Sequence, residues 1–132
     1  MIFEEKIKEV IQNYNLGNFL KAENLVKRLL TRNSKDYQLC NIYGLILLKL
    51  YKTEGAISYF QKSIHIKSNF FEAHFNLLKS LYDLEKYNEA ILQSKKCLKI
   101  NSKSTGTLLL LGNLYNKLKC ASKKSDFILI DF

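Results

Sequence analysis

A spacing of 34 residues recurs along the chain and constrains its fold more than any other feature. Ala22, Ala56 and Ala90 stand at this spacing, and the serine at position 34 returns at positions 68 and 102. No insertion or deletion separates the copies. A fixed period of this length predicts an array of stacked repeat units, because one such unit cannot bury its apolar faces alone.

Each unit is predicted to contain two helices joined by a short turn. Apolar residues recur three and four positions apart in both halves of the unit, as at Ile57, Phe60 and Ile64. The chain has no proline and only 5 glycines, so few positions interrupt a helix. The sequence therefore predicts an all-α fold. Its predicted units are residues 3–36, 37–70 and 71–104, followed by the first helix of a fourth unit over 105–120.

The repeat resembles the tetratricopeptide repeat family, and the resemblance covers residues 3–119. The matching residues are Gly17, Phe19 and Ala22 in the first unit, Tyr43, Gly44, Ala56, Tyr59, Phe60 and Ser63 in the second, Leu77, Leu81, Tyr87, Ala90 and Cys97 in the third, and Leu111, Gly112 and Tyr115 in the fourth. Serine replaces the family's proline after each second helix, and with the neighbouring asparagines it is expected to end and cap helices. The resemblance implies a right-handed α-solenoid.

Small residues are expected where two helix backbones approach each other closely. By the register of the repeat, these slots hold Ala22, Gly44, Ala56, Ser63, Ala90, Cys97 and Gly112. Leucine and isoleucine rows then fill the space between neighbouring units.

The last segment, "ASKKSDFILIDF", departs from the repeat. Lys124 stands where the alanine belongs, and the apolar "FILI" is the opposite of the polar helix that caps an array. We expect residues 1–120 to form the array and residues 121–132 to form an irregular tail. The tail either packs over the last first helix or marks a fragment of a longer array, which is the favoured interpretation. Its apolar side chains predict self-association through the C-terminal end.

Charge indicates the kind of partner. The net charge is +9, and no acidic residue stands between Glu89 and Asp126. We therefore expect a partner that can be acidic. Nucleic acid is disfavoured because only Arg28 and Arg32 are arginines, the residue whose planar fork reads phosphate and guanine. No apolar run approaches the ~20 residues of a membrane span, and the N-terminus lacks a signal peptide, so a cytoplasmic protein without membrane contact is expected.

The sequence carries no recognisable catalytic or ligand-binding motif. Cys40, Cys97 and Cys120 lack metal or redox spacing, and His65 and His74 have no partners at metal-ligand spacing. No glycine-rich phosphate loop occurs, and no nucleophile is arranged with a base. Neither enzymatic activity nor a metal or cofactor is predicted.

The resemblance implies a concave partner-binding groove lined by the first helices. Positions 5, 9, 12 and 13 of each unit face it, and we call these positions the first-helix face. The candidate partner-binding residues on it are Tyr14, Asn41, Leu45, Leu48, Lys49, Phe75, Lys79, Tyr82, Asn113 and Asn116. Family members that grip a C-terminal carboxylate use lysines and asparagines at positions that here hold Ile7, Ile11, Ile42, Glu72 and Asn76, so only one amide of that clamp is present.

The function predicted from these patterns is a protein–protein interaction module that binds a partner segment in the groove. One alternative is the N-terminal repeat region of a longer bacterial transferase, of glycosyltransferase or sulfotransferase type. Another is RNA binding through the lysine-rich C-terminal third.

Overall fold

A computed structural model describes the backbone of residues 2–130 and the side chains of residues 2–120. This part of the chain contains seven helices and no strand. The helices are α1 (Phe3–Asn15), α2 (Phe19–Arg32), α3 (Tyr37–Lys49), α4 (Thr53–Ile66), α5 (Phe71–Asp83), α6 (Tyr87–Ile100) and α7 (Thr105–Ile130). The all-α fold class and the helix pairs predicted from the 34-residue period are confirmed.

The chain divides into two compact units, Met1–Leu77 and Leu78–Phe132. Within the first, α2 packs against α1 and α3, and α3 packs against α4. Within the second, α6 packs against α7. Among the described residues, no helix combines the length and the hydropathy that crossing a bilayer requires.

The turn after each first helix repeats the same backbone geometry. Gly17, Tyr51 and Glu85 stand 34 residues apart and have positive φ angles of 81°, 60° and 59°. In the first turn, the Gly17 N–H donates to the Tyr14 carbonyl over 3.1 Å, and the Asn18 N–H donates to the Asn13 carbonyl over 2.8 Å. The other two turns repeat both bonds. This pair of bonds with a left-handed residue is the Schellman motif, which satisfies carbonyls at the end of a helix.

Small residues fill the predicted slots inside the helix pairs. Six of the seven predicted residues are buried: Ala22, Gly44, Ala56, Ser63, Ala90 and Cys97. At Gly44 a Cβ would overlap the Phe60 ring, whose Cδ1 and Cζ would lie 2.6 and 2.8 Å away. Because Phe60 is fully buried, its ring fills the space that the missing side chain leaves.

Gly112 is different, and its predicted packing role is wrong for the described residues. It is exposed, and no described atom would lie within 4 Å of a Cβ placed there. The same position in the second unit, Gly44, is covered by α4, whereas no described second helix follows α7. The small residue is therefore present in the sequence, but no described helix packs against it.

Capping of two helices comes from residues other than the repeated serines. The Asp36 side chain accepts a hydrogen bond from the Leu39 N–H over 2.9 Å at the start of α3. The Ser104 hydroxyl accepts one from the Thr107 N–H over 3.2 Å at the start of α7. Ser34 and Ser102, two residues earlier in each case, are exposed.

The predicted boundary at residue 120 falls inside α7, which continues to Ile130. The side chains of residues 121–132 lie outside the described part of the chain. The irregular backbone predicted for this segment is not found over 121–130, which are helical, whereas the packing of the tail and its role in self-association stay predictions.

Candidate functional site

The first-helix face carries residues from α1, α3, α5 and α7. Six of the ten candidates belong to the first compact unit and four to the second. In the first unit they are Tyr14, Asn41, Leu45, Leu48, Lys49 and Phe75. In the second unit they are Lys79, Tyr82, Asn113 and Asn116.

An amide pair joins α3 and α5 in the first unit. The Asn76 side-chain N–H donates to the Asn41 side-chain oxygen over 3.0 Å. Asn41 is only 7% exposed, so it is not the solvated amide that a surface position would give. Since a buried amide is stable only when hydrogen-bonded, this pair fixes the side chain of Asn41, which belongs to the first-helix face, against that of Asn76, which stands one position further along its unit.

Two candidate residues of the first unit are aromatic. Phe75 is half-buried and stacks on Phe71, with ring centroids 5.8 Å apart and planes at 14°. Tyr14 is half-buried and makes an edge-to-face contact with Phe19, at 5.6 Å and 64°. Each ring is held by an aromatic neighbour, which lowers the entropy lost when a ligand binds to it.

The aliphatic candidates are partly covered by the fold. Leu45 and Leu48 are half-buried on α3, whereas Lys49 at the end of that helix is exposed. The two leucines therefore serve packing as well as presenting apolar surface.

A lysine lies close to two tyrosine rings in the second unit. The Lys117 Nζ is 6.0 Å from the Tyr82 ring centroid and 5.9 Å from that of Tyr87. The two rings contact each other edge to face, with centroids 6.1 Å apart. Attraction between the ammonium group and the ring faces orients the lysine. Lys79, Asn113 and Asn116 are exposed.

Sequence reasoning selected Tyr82 but left Tyr87 and Lys117 out of the candidate set. Lys117 occupies position 13 of its unit, so the register does place it on the first-helix face. Tyr87 begins a second helix, and only its contact with Tyr82 shows its relevance. In the same way, the pairing of Asn41 with Asn76 requires the approach of α3 and α5, which no local pattern encodes.

The positions of the family's carboxylate clamp are mostly apolar here. Ile7 is half-buried, and Ile11 is 41% exposed. Glu72 is exposed in the first turn of α5 and adds a negative charge where the clamp has a polar or basic group.

Comparison with known proteins places the chain among tetratricopeptide repeat structures. No protein-family model matches it. A curated relative, "Uncharacterized protein RP472" of Rickettsia prowazekii, is 34% identical over 112 residues, or 83% of this chain. The chain spans only 33% of the length of that relative.

Solved structures match the fold closely at low sequence identity. The tetratricopeptide repeat domain of Sgt2 from Aspergillus fumigatus has a TM-score of 0.83 and 14% identity, covering 91% of this chain and 81% of its own. The first such domain of Spaghetti, bound to the HSP90 peptide SRMEEVD, has a TM-score of 0.81 and 13% identity, covering 85% and 89%. The chain therefore has the tetratricopeptide repeat fold, as its 34-residue period predicts.

Proposed function

We propose that the chain is a protein–protein interaction module that binds a segment of a partner protein on its first-helix face. The observation that carries this proposal is the Asn41–Asn76 amide pair, which joins α3 and α5, the helices that carry the half-buried Leu45, Leu48 and Phe75. Fixed polar groups among apolar surface are what a peptide needs, because its backbone requires hydrogen-bonding partners and its side chains require apolar contact.

Charge favours a partner segment that includes acidic residues. First-helix positions carry Lys49 in the first compact unit and Lys79 and Lys117 in the second, and the whole chain carries a net charge of +9. A structural neighbour is bound to the peptide SRMEEVD, which contains three acidic residues. Because this chain has isoleucines and Glu72 at most clamp positions, the proposed segment is gripped along its length rather than by its terminal carboxylate.

The test is a peptide selection followed by measurement with variants. Peptides enriched on the immobilised chain are titrated by isothermal calorimetry against the wild type, Phe75→Ala and Tyr82→Ala. Loss of an aromatic anchor typically weakens an interface by about 2 kcal/mol, or more than tenfold in Kd. We expect a loss of this size for at least one of the two variants.

A matched control removes an aromatic ring elsewhere. Tyr51 is 93% exposed in the turn between α3 and α4, so Tyr51→Ala should bind with unchanged affinity. If a Phe75→Ala/Tyr82→Ala double variant keeps its helical circular dichroism and binds as tightly as the wild type, the first-helix face is not the binding site.

A further inference from the structure

A cleft of about 550 Å³ lies between α1 and α2, away from the first-helix face. Its floor is apolar, formed by the half-buried Leu25 and by Leu29, which is 8% exposed. The rest of the lining is polar, with Lys6 and Glu9 on α1 and with Thr31 and two arginines on α2. The volume lies in the range of ordinary ligand pockets, roughly 300–1,000 Å³.

Both arginines of the chain line this one cleft. Arg28 and Arg32 stand four residues apart on α2, so they share one face of the helix. The ion pairs of the described residues join Lys27 and Lys52 to Glu23, and neither arginine has a described carboxylate within 4.0 Å. A guanidinium group offers a planar fork of donors that matches a carboxylate in two parallel hydrogen bonds.

Two features of the described residues explain part of this arrangement. Lys6 and Glu9 correspond to Cys40 and Tyr43 one unit later, which are buried. Polar residues are expected where no described helix covers α1, and Arg32 also interacts favourably with the C-terminal end of the α2 dipole. Neither reason explains why an arginine stands at position 28. Neither explains why two leucines lie between the charged side chains of the cleft.

We propose that this cleft binds an acidic segment of a partner protein. Its carboxylates pair with Arg28 and Arg32, and an apolar side chain between them covers Leu25 and Leu29. Three cationic side chains face one carboxylate, that of Glu9, so the cleft attracts anions. A peptide is favoured over nucleic acid because no aromatic ring lines the cleft to stack on a base.

The test is an NMR titration of the ¹⁵N-labelled chain with the peptide acetyl-Glu-Glu-Leu-Glu-Glu-amide. We expect amide shifts centred on residues 6–9 and 25–32, and a dissociation constant that rises with salt. Arg28→Gln/Arg32→Gln should weaken binding about tenfold or more, since it removes both charge-assisted forks. Lys95→Gln/Lys96→Gln is the matched control, because it removes two exposed charges from α6 and should leave the affinity unchanged.

Any one of four outcomes would overturn the proposal. The first is equal affinity of the arginine variant and the wild type. The second is equal binding of acetyl-Gln-Gln-Leu-Gln-Gln-amide, which lacks the carboxylates. The third is tighter binding at this cleft by a single-stranded RNA oligonucleotide than by the acidic peptide. Shifts confined to the first-helix face would also exclude the cleft, while leaving the proposed function of that face intact.

Discussion

Gly44 on α3 and Gly112 on α7 occupy the same position of two repeat units but meet opposite surroundings. Gly44 is buried under the ring of Phe60, whereas Gly112 is exposed with no described atom within 4 Å of its missing Cβ. The same contrast in burial is found three positions further along each helix. Leu47 is 5% exposed, and Tyr115, its counterpart, is 50% exposed. A repeat position therefore specifies a slot, and the second helix of the same unit decides whether the slot is filled.

The largest expected effect on stability comes from removing the Phe60 ring, which fills the space beside Gly44. Phe60 is fully buried against Gly44, so Phe60→Ala should lower the free energy of unfolding by about 3–5 kcal/mol through lost contacts and a residual cavity. Urea denaturation followed by circular dichroism measures this change. Leu92→Ala is the control, since Leu92 is 62% exposed on α6, and it should change stability by less than about 0.5 kcal/mol.

The matched pair Gly44→Ala and Gly112→Ala tests the comparison directly. At Gly44 the new methyl group overlaps the Phe60 ring, so we expect a loss of about 1–3 kcal/mol from overpacking. At Gly112 the methyl group meets no described atom, so the higher helix propensity of alanine should stabilise α7 by about 0.5–1 kcal/mol. Thermal and urea denaturation measure whether each variant is more or less stable than the wild type. Equal effects of the two substitutions would show that the open and closed slots do not differ.

A pH-dependent effect concerns a thiol in a closed slot. Cys97 is fully buried at the position of Ser63 one unit earlier, and burial raises its pKa from the ordinary 9.0 to about 11. The unfolded chain therefore ionises this thiol first, and its stabilising contribution is present below pH 9 and is lost as the pH rises to about 11. Denaturation midpoints of the wild type and Cys97→Ala, compared from pH 8 to pH 11, should converge as the pH rises. A constant difference across this range would contradict the assignment.

Local pattern was sufficient to predict the helices and most of the small-residue slots. The alanine spacing set the register, and the structure buries Ala22, Ala56 and Ala90 completely. Apolar residues at helical spacing set the helix pairs, and the absence of proline left few alternatives to helix.

Contacts between helices were harder to predict because they depend on which side chains meet across a packing interface. The Asn41–Asn76 pair and the Lys117–Tyr82–Tyr87 cluster each join residues from different helices. The opening of the Gly112 slot depends on a helix partner, which the residue pattern of α7 alone does not reveal. The sequence prediction did not include the charged α1–α2 cleft, because it considered the two arginines only as contacts to nucleic acid.

The three turns at Gly17, Tyr51 and Glu85 keep one backbone geometry while their side chains have nothing in common. The number of residues in the turn is therefore held constant more strictly than their chemistry. One inserted residue would rotate the entering helix by about 100° about its own axis, since an α-helix has 3.6 residues per turn. Such a phase error would turn the buried stripe of that helix toward water, so these turns should tolerate substitution but not a change of length.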